Sequence, residues 1–202
     1  MKKTKKQIII GFDLDGVIID NSQNKINFAK KLGFKIKKED TPSFRLKNKI
    51  DKKLYPRLQN YIYTKGTKES QPAKNVKKAL GLLKKKGVKF YIISRRQPGL
   101  SRKEAKKWLK DHLAEFFNKD NIFFVKSDKE KEKIAKKLNV KIFLDDNISV
   151  LRHLESVPYK FLFLPFTLKK RETAIKEKIK EYKIKQVFSW NDFLKKVSKL
   201  KF

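Results

Sequence analysis

Five short apolar runs, each ending at a polar residue and followed by a helical pattern, constrain the fold of this chain more than any other feature. The runs are rich in β-branched and aromatic residues, have the length of strands, and lie at 8–12, 90–93, 122–125, 140–144 and 161–164. Buried parallel strands have this composition. Strands that alternate with helices predict an α/β fold with a mostly parallel sheet, a Rossmann-like three-layer sandwich.

Helical periodicity fills the segments between the runs. Apolar residues recur at helical spacing after Pro72, and Gly87 stops that pattern. The pairs Ser101 with Glu104 and Ser127 with Glu130 have capping-box spacing, which predicts two helix starts. Two further helices are predicted near 169–182 and 191–200.

One long segment interrupts this alternation. Roughly 60 residues separate the first run from the helix after Pro72, far more than a strand-to-helix connection needs. Helices are predicted inside it near 23–32 and 46–64. We therefore interpret 21–86 as a small helical cap inserted after the first strand, and 1–20 with 87–202 as the core.

Composition excludes several kinds of site. The absence of cysteine rules out disulfides, thiolate zinc sites and a cysteine nucleophile, and the two histidines, His112 and His153, argue against a histidine metal site. No apolar run reaches the roughly 20 residues that a membrane helix needs. The basic start at 1–6 leads into a short apolar stretch that meets Asp13, which is not a secretion signal. We therefore expect a cytoplasmic protein without a membrane partner.

The net charge has two interpretations. The chain has 54 Lys and Arg against 21 Asp and Glu, a formal charge of +33, and the cap segment 21–86 alone carries 20 basic and four acidic residues, a net +16. Such a surplus fits a polyanionic partner such as nucleic acid. However, only seven of the 54 are Arg, so 54 − 7 leaves 47 Lys, and base-reading sites depend heavily on Arg. A lysine-rich background is therefore the favoured interpretation.

Polar side chains follow four of the predicted strands, where ligands of open α/β sheets bind. These residues are Asp13, Asp15 and Gly16 after the first run, Ser94, Arg95 and Arg96 after the second, Lys126 and Lys129 after the third, and Asp145 and Asp146 after the fourth. The predicted sheet thus brings four carboxylates, a hydroxyl and a lysine to one edge.

In this order and spacing, these residues resemble the motifs of the haloacid dehalogenase (HAD) superfamily of phosphohydrolases. The resembling segments are Asp13-Leu14-Asp15-Gly16-Val17 for the first motif, Ser94 for the second, Lys129 or Lys126 for the third and Asp145-Asp146 for the fourth. The insertion lies where that superfamily carries its first type of cap. Within the superfamily the chain is most similar to the 5′(3′)-deoxyribonucleotidase and nucleotidase-like branch, on the segments Ser94-Arg95-Arg96, Ser127-Asp128-Lys129 and Val187-Phe188-Ser189-Trp190.

The resemblance implies a role for each carboxylate. Asp13 would be the nucleophile that forms an aspartyl-phosphate, and Asp15 would protonate the leaving oxygen and then deprotonate water. Asp145 and Asp146 would hold Mg²⁺ together with Asp13 and the backbone carbonyl of Asp15, since Mg²⁺ prefers hard oxygen ligands. Which of Asp145 and Asp146 binds the ion directly stays open.

The same resemblance implies the phosphate contacts. Ser94 would bind a phosphoryl oxygen, Lys129 would neutralise charge at a helix N-terminus, and Gly16 would let the backbone turn beneath the phosphate. Lys126 competes with Lys129 for its role. For Arg96, contact with substrate and a structural role are both open.

The expected function is Mg²⁺-dependent hydrolysis of a phosphomonoester, with a nucleotide or a related small phosphate ester as substrate. Two alternatives remain: a phosphatase that acts on nucleic-acid ends, and an inactive HAD-fold protein that binds nucleic acid. Asp145-Asp146-Asn147 could also be a helix start with Asn147 as its N-cap, which does not conflict with a metal site. The oligomeric state is not predicted.

Overall fold

Strands and helices alternate along most of the chain. The computed structural model describes residues 7–170 and 172–200, so the predictions made for 1–6 lie outside the described residues. The strands are β1 (Ile9–Phe12), β2 (Ile19–Asp20), β3 (Gln71–Pro72), β4 (Lys89–Arg95), β5 (Ile122–Val125), β6 (Ile142–Asp145), β7 (Tyr159–Phe163) and β8 (Lys185–Val187). The α-helices are α1 (Ser22–Lys31), α2 (Ser43–Leu46), α3 (Tyr55–Tyr63), α4 (Lys65–Glu69), α5 (Val76–Lys85), α6 (Leu100–Leu113), α7 (Asp128–Lys137), α8 (Ile148–Leu151), α9 (Thr173–Glu181) and α10 (Trp190–Val197).

Six strands form one parallel sheet in the order β5-β4-β1-β6-β7-β8. Strand β1 lies inside it, with Ile10 beside Phe90 of β4 on one side and Ile142 of β6 on the other. The predicted parallel sheet is confirmed. Because β1 and β6 have neighbours on both sides and helices on both faces, their residues are almost wholly apolar and buried.

Two apolar layers cover the faces of this sheet. One holds buried residues of α5, α6 and α10, among them Trp108 and Trp190, and the other holds residues of α7 and α8, with α9 packed against it. Helix, sheet and helix therefore form the three layers that the sequence predicts. In the part of the chain that the structure describes, no helix is long and apolar enough to span a membrane.

The inserted segment has an apolar cluster of its own. Residues of α1, α2 and α3 and of the turns between them share it: Ala29, Ile36, Leu46, Ile50, Leu58 and Ile62. The segment leaves and rejoins the core through the antiparallel pair β2–β3, where Ile19 lies opposite Pro72. Helix α5 packs into the core layer instead. We therefore propose that the cap ends near residue 72 rather than at 86.

Local chemistry moves several predicted boundaries. The helix predicted at 46–64 is split, and α3 begins at Tyr55 with Pro56 in its first turn. The capping box at Ser101 does not form, because α6 begins after Gly99 at φ +85° and places Ser101 inside its first turn. At Ser127 the prediction holds, since its hydroxyl accepts a hydrogen bond from the Glu130 N–H at 3.2 Å.

Candidate active site

The carboxyl ends of β1, β4 and β6 bring Asp13, Ser94 and Asp145 to one cavity between the core and the cap. Asp13 follows β1 directly, and its N–H donates to the carbonyl of Leu144 in β6 at 2.9 Å. Asp145 is the last residue of β6, and Ser94 lies near the end of β4. All three are almost completely buried. Residues of the cap form the opposite wall, with Tyr55 and Tyr63 among them.

Asp13, Asp145 and Asp146 form a cluster whose carboxylate oxygens lie within 4.8 Å of one another. Backbone N–H groups orient two of them: Asp15 donates to Asp13 Oδ2 at 3.0 Å, and Asn147 donates to Asp145 Oδ1 at 2.9 Å. Asp146 accepts no hydrogen bond from residues within 7–170 and 172–200 and lines the cavity. Its oxygens are therefore available to a ligand.

Electrostatics in this cluster favour a cation. Burial raises the pKa of Asp145, although Lys131 opposes the shift, and burial also raises the pKa of Asp146, opposed by Lys25. The neighbouring carboxylates add to both shifts. Three oxygen-donor side chains that repel one another in a buried site fit a hard divalent ion such as Mg²⁺.

Lys131, and not the predicted Lys129, is the lysine that the structure places against the carboxylates. Lys131 Nζ lies 2.7 Å from Asp13 Oδ1 and 2.8 Å from Asp145 Oδ2, and its side chain is 1% exposed. Burial disfavours its charged form, but the two carboxylates outweigh burial and raise the pKa of Lys131. Lys129 and Lys126 are exposed and do not line the cavity.

The sequence contained a signal for Lys131. Helix α7 begins at Asp128, so Lys129 lies in its first exposed turn, whereas Lys131 shares a face with Ile134, Ala135 and Leu138. These positions follow Lys131 by three, four and seven residues, which is the spacing of the buried stripe of a helix. A lysine on that stripe needs a buried partner, and the carboxylates of Asp13 and Asp145 supply it.

Arg96 is held by the protein rather than facing the cavity. Its guanidinium binds Asp15 through both arms, with Nε to Oδ2 at 2.8 Å and Nη2 to Oδ1 at 2.6 Å. Nη1 donates to the carbonyls of Tyr63 and Ser101 and to the hydroxyl of Thr67. Arg96 does not line the cavity, and this placement favours the structural role of the two that were left open.

Gly16 lies in the turn after β1. Its N–H donates to the carbonyl of Ile19 at 2.9 Å and is not free for a phosphate. Its φ of +82° suits glycine, and a Cβ atom there would lie 2.3 Å from Asp146 Oδ2. Gly16 therefore provides the room in which the Asp146 carboxylate lies against the loop after β1.

The remaining predictions are located as follows. Ser94 and Arg95 line the cavity with Asp13 and Asp15. Arg95 also pairs with Asp128 at 3.1 Å. Asn147 is the N-cap of α8, as predicted, and its side chain accepts from the Ser149 N–H at 3.0 Å.

A parallel α/β core, paired acidic residues after its central strands and an inserted cap define a phosphatase of the HAD type. The chain belongs to the family described as 5′ nucleotidase, deoxy (pyrimidine), cytosolic type C protein (NT5C), whose model matches residues 6–166. The resemblance seen in the sequence is thereby confirmed. A search of curated proteins gave no significant match.

Solved structures support the fold. A HAD-like protein of unknown function from Agrobacterium tumefaciens is similar with a TM-score of 0.66 at 13% identity, over 96% of this chain and 98% of that chain. A predicted phosphatase from Clostridium acetobutylicum has a TM-score of 0.61 at 18% identity, over 96% and 99%. A HAD family hydrolase from Deinococcus radiodurans, with bound phosphate and sodium, has a TM-score of 0.60 at 13% identity, over 95% of both chains.

Proposed function

We propose that this protein hydrolyses phosphomonoesters with Mg²⁺ through a phosphorylated Asp13. The observation that carries the proposal is the fixed position of the Asp13 carboxylate, held between Lys131 Nζ and the Asp15 N–H at the cavity wall. A nucleophile fixed in this way loses little freedom when it attacks, which lowers the barrier.

In the first step an Asp13 carboxylate oxygen bonds to phosphorus while the ester P–O bond breaks. Both Asp15 oxygens accept from Arg96, so one of these bonds must open before Asp15, at the same cavity, can carry the proton that it gives to the departing alkoxide. In the second step Asp15 takes a proton from water, whose oxygen bonds to phosphorus as the bond to Asp13 breaks. Phosphate leaves, Asp13 is again a carboxylate and Asp15 is again protonated.

The charges around Asp13 suit this reaction. Lys131 neutralises part of the repulsion between Asp13 and an anionic substrate, and the hydroxyl of Ser94 faces the same cavity, where it would donate to a phosphoryl oxygen. Asp13, Asp145 and Asp146 would hold Mg²⁺, with the backbone carbonyl of Asp15 as a further ligand. When bound, the ion would supply positive charge for the phosphoryl oxygens.

We propose that the substrate is a nucleotide and that the protein acts in the cytoplasm. Support comes from the family match, whose description names a cytosolic nucleotidase. A second candidate, the phosphorylated end of a nucleic acid, is favoured by the net +16 of residues 21–86, which include the cap wall of the cavity. Turnover of an end-phosphorylated oligonucleotide should then fall steeply with salt while turnover of a mononucleotide changes little. Equal salt dependence for both would count against that candidate.

The proposed function is tested with Asp13→Asn. Release of phosphate from an aryl phosphate and from a panel of mononucleotides is measured with Mg²⁺ and with a chelator. Wild type should release phosphate only with Mg²⁺. Asp13→Asn should lose at least 10³-fold in kcat, on the scale seen for removed nucleophiles. The exposed control Asp120→Asn should match wild type. Undiminished turnover by a folded Asp13→Asn protein would refute the proposal.

A further inference from the structure

A second buried lysine, Lys25 in α1, forms no direct ion pair among the described residues, although its charge acts on Asp146 at longer range. Its side chain is 9% exposed, and its one hydrogen bond runs from Nζ to the carbonyl of Thr41 at 3.1 Å. No carboxylate of residues 7–170 and 172–200 lies within 4.0 Å of this ammonium, whereas Lys131 has two.

This arrangement leaves Lys25 with unused donors. An ammonium carries three N–H groups, and one bond to a carbonyl satisfies only one of them. Burying a charge without a partner is costly, so proteins keep such a group where an anion binds. Exposed lysines of the same helix, such as Lys30, have no such cost because water solvates them.

Lys25 lies where two cavities meet. Asn21, Lys25 and Asp146 line both the cavity that holds Asp13 and a second cavity of about 460 Å³. The second cavity extends away from Asp13, between the start of the cap and the loops after β7 and β8. A phosphomonoester with its phosphoryl group at Asp13 could therefore extend past Lys25 into this space.

The second cavity is lined by apolar side chains, by three lysines and by two carboxylates, those of Asp20 and Asp146. Phe163, Phe166 and Phe188 line it, and Phe188 is 47% exposed. Lys38 and Lys74 lie at its edge, and Lys38 pairs at 3.9 Å with Asp20. Such walls suit a group that has a flat apolar part and an anion of its own.

We propose that Lys25 binds a second phosphate on the leaving group of the substrate, so that the preferred substrates are phosphomonoesters that carry two phosphates. The inference rests on the proposed function for the position of the first phosphate. It assigns the second cavity as the site that binds the leaving group. Lys25 is then the residue that favours leaving groups with a negative charge.

Calorimetric titration without Mg²⁺ tests the inference apart from catalysis. The probes are a nucleoside 3′,5′-bisphosphate and the matching 5′-monophosphate, titrated into wild type, Lys25→Met, Lys25→Arg and the exposed control Lys30→Met. Wild type, Lys30→Met and Lys25→Arg should bind the bisphosphate at least ten-fold more tightly than the monophosphate. Lys25→Met should bind both alike.

Thermal unfolding separates binding from folding. Because Lys25→Met removes a buried charge with a single hydrogen bond, its unfolding temperature should equal or exceed that of wild type. A preference for the bisphosphate that survives in Lys25→Met, or that is lost in Lys25→Arg as well, would overturn the inference. Turnover of an aryl phosphate with Mg²⁺ is recorded for the same proteins. Absence of this activity in wild type would mean that the proposed function fails, whereas its loss in Lys25→Met alone would mean that Lys25 serves the reacting phosphate and would overturn the inference.

Discussion

At the scale of single residues, two buried cations fix the two carboxylates that follow β1. Lys131 bridges Asp13 and Asp145, and Arg96 binds both oxygens of Asp15. Neighbouring carboxylates do different chemistry only when their surroundings differ. Here Asp13 lies beside an ammonium and a second carboxylate, while Asp15 lies beside a guanidinium linked to the cap through Tyr63 and Thr67.

The first prediction compares Lys131→Met with Lys129→Met. Loss of Lys131 removes the cation between Asp13 and Asp145, so kcat should fall by about 10²–10³-fold, the size of effect seen when one preorganised electrostatic group is removed. Lys129 is exposed, and its replacement should leave kcat within two-fold of wild type. The measurement is kcat in steady-state assays on an aryl phosphate, and circular dichroism checks that each variant is folded. Equal losses in both variants would contradict the assignment of Lys131.

The second prediction concerns Arg96→Lys, which keeps the charge but cannot bind Asp15 through two parallel bonds. If Arg96 positions the general acid, kcat should fall by about 10²-fold for an alkyl phosphate, whose leaving group needs a proton, with little change in KM. A nitrophenyl phosphate should lose less than ten-fold, because its leaving group is stable as an anion. A purely structural role would lower both rates equally, and the exposed control Arg57→Lys should change neither.

At the scale of elements, a buried ion pair fastens the cap to the core. Arg45 in α2 binds Glu172 before α9 through two bonds of 2.6 and 2.8 Å, and it also donates to the carbonyls of Glu39 and Thr167. The hydrogen bond from Arg45 lowers the pKa of Glu172 below its usual range. The ionised carboxylate is therefore the form that stabilises this junction.

The third prediction is the pH dependence of this junction. Because the pKa of folded Glu172 is lowered, its contribution is fully present above the unfolded value of about 4.3 and is lost as pH falls through the folded value. Glu172→Gln should lower the free energy of unfolding by roughly 1–3 kcal/mol at pH 7. Urea unfolding at pH 7 and at pH 3 should show the difference from wild type shrinking in acid. An equal difference at both pH values would contradict it.

The alternation of apolar runs and helical patterns was enough to predict the parallel sheet, because strand-length runs between amphipathic helices have few other solutions. Other elements had weaker local signals. Strand β8 has three residues, two of them polar, and its pairing with β7 depends on contacts distant in the chain. Gly99, with its positive φ, replaces Ser101 as the N-cap of α6, so the helix begins two residues earlier than the capping pattern implied.

In the candidate site too, some residues could be placed from the sequence and others could not. Residues at strand ends, Asp13, Ser94 and Asp145, were predictable because sheet topology alone brings them together. Residues that reach the site from helices were harder to place. The chain has 54 Lys and Arg, of which seven are Arg, so Lys131 and Lys25 are two lysines among 47. Their burial, which distinguishes them from exposed lysines, depends on tertiary packing.

At the scale of the whole molecule, the charge of +33 is not what the chemistry requires. The cavity pairs its carboxylates with Lys131 and Arg96, which are only two of the 54 basic residues. A lysine-rich background stays the favoured interpretation of the surplus, and the part to which we assign a role lies around Lys25 and the second cavity.

The central claim is that Asp13 carries the phosphoryl group between substrate and water. The stereochemical course at phosphorus tests it most directly, by hydrolysis of a phosphorothioate monoester made chiral at phosphorus with two oxygen isotopes, in water labelled with the third. Two successive in-line displacements, the first by Asp13 and the second by water, predict retention of configuration in the thiophosphate released. Inversion would mean that water attacks the substrate directly and would contradict the account.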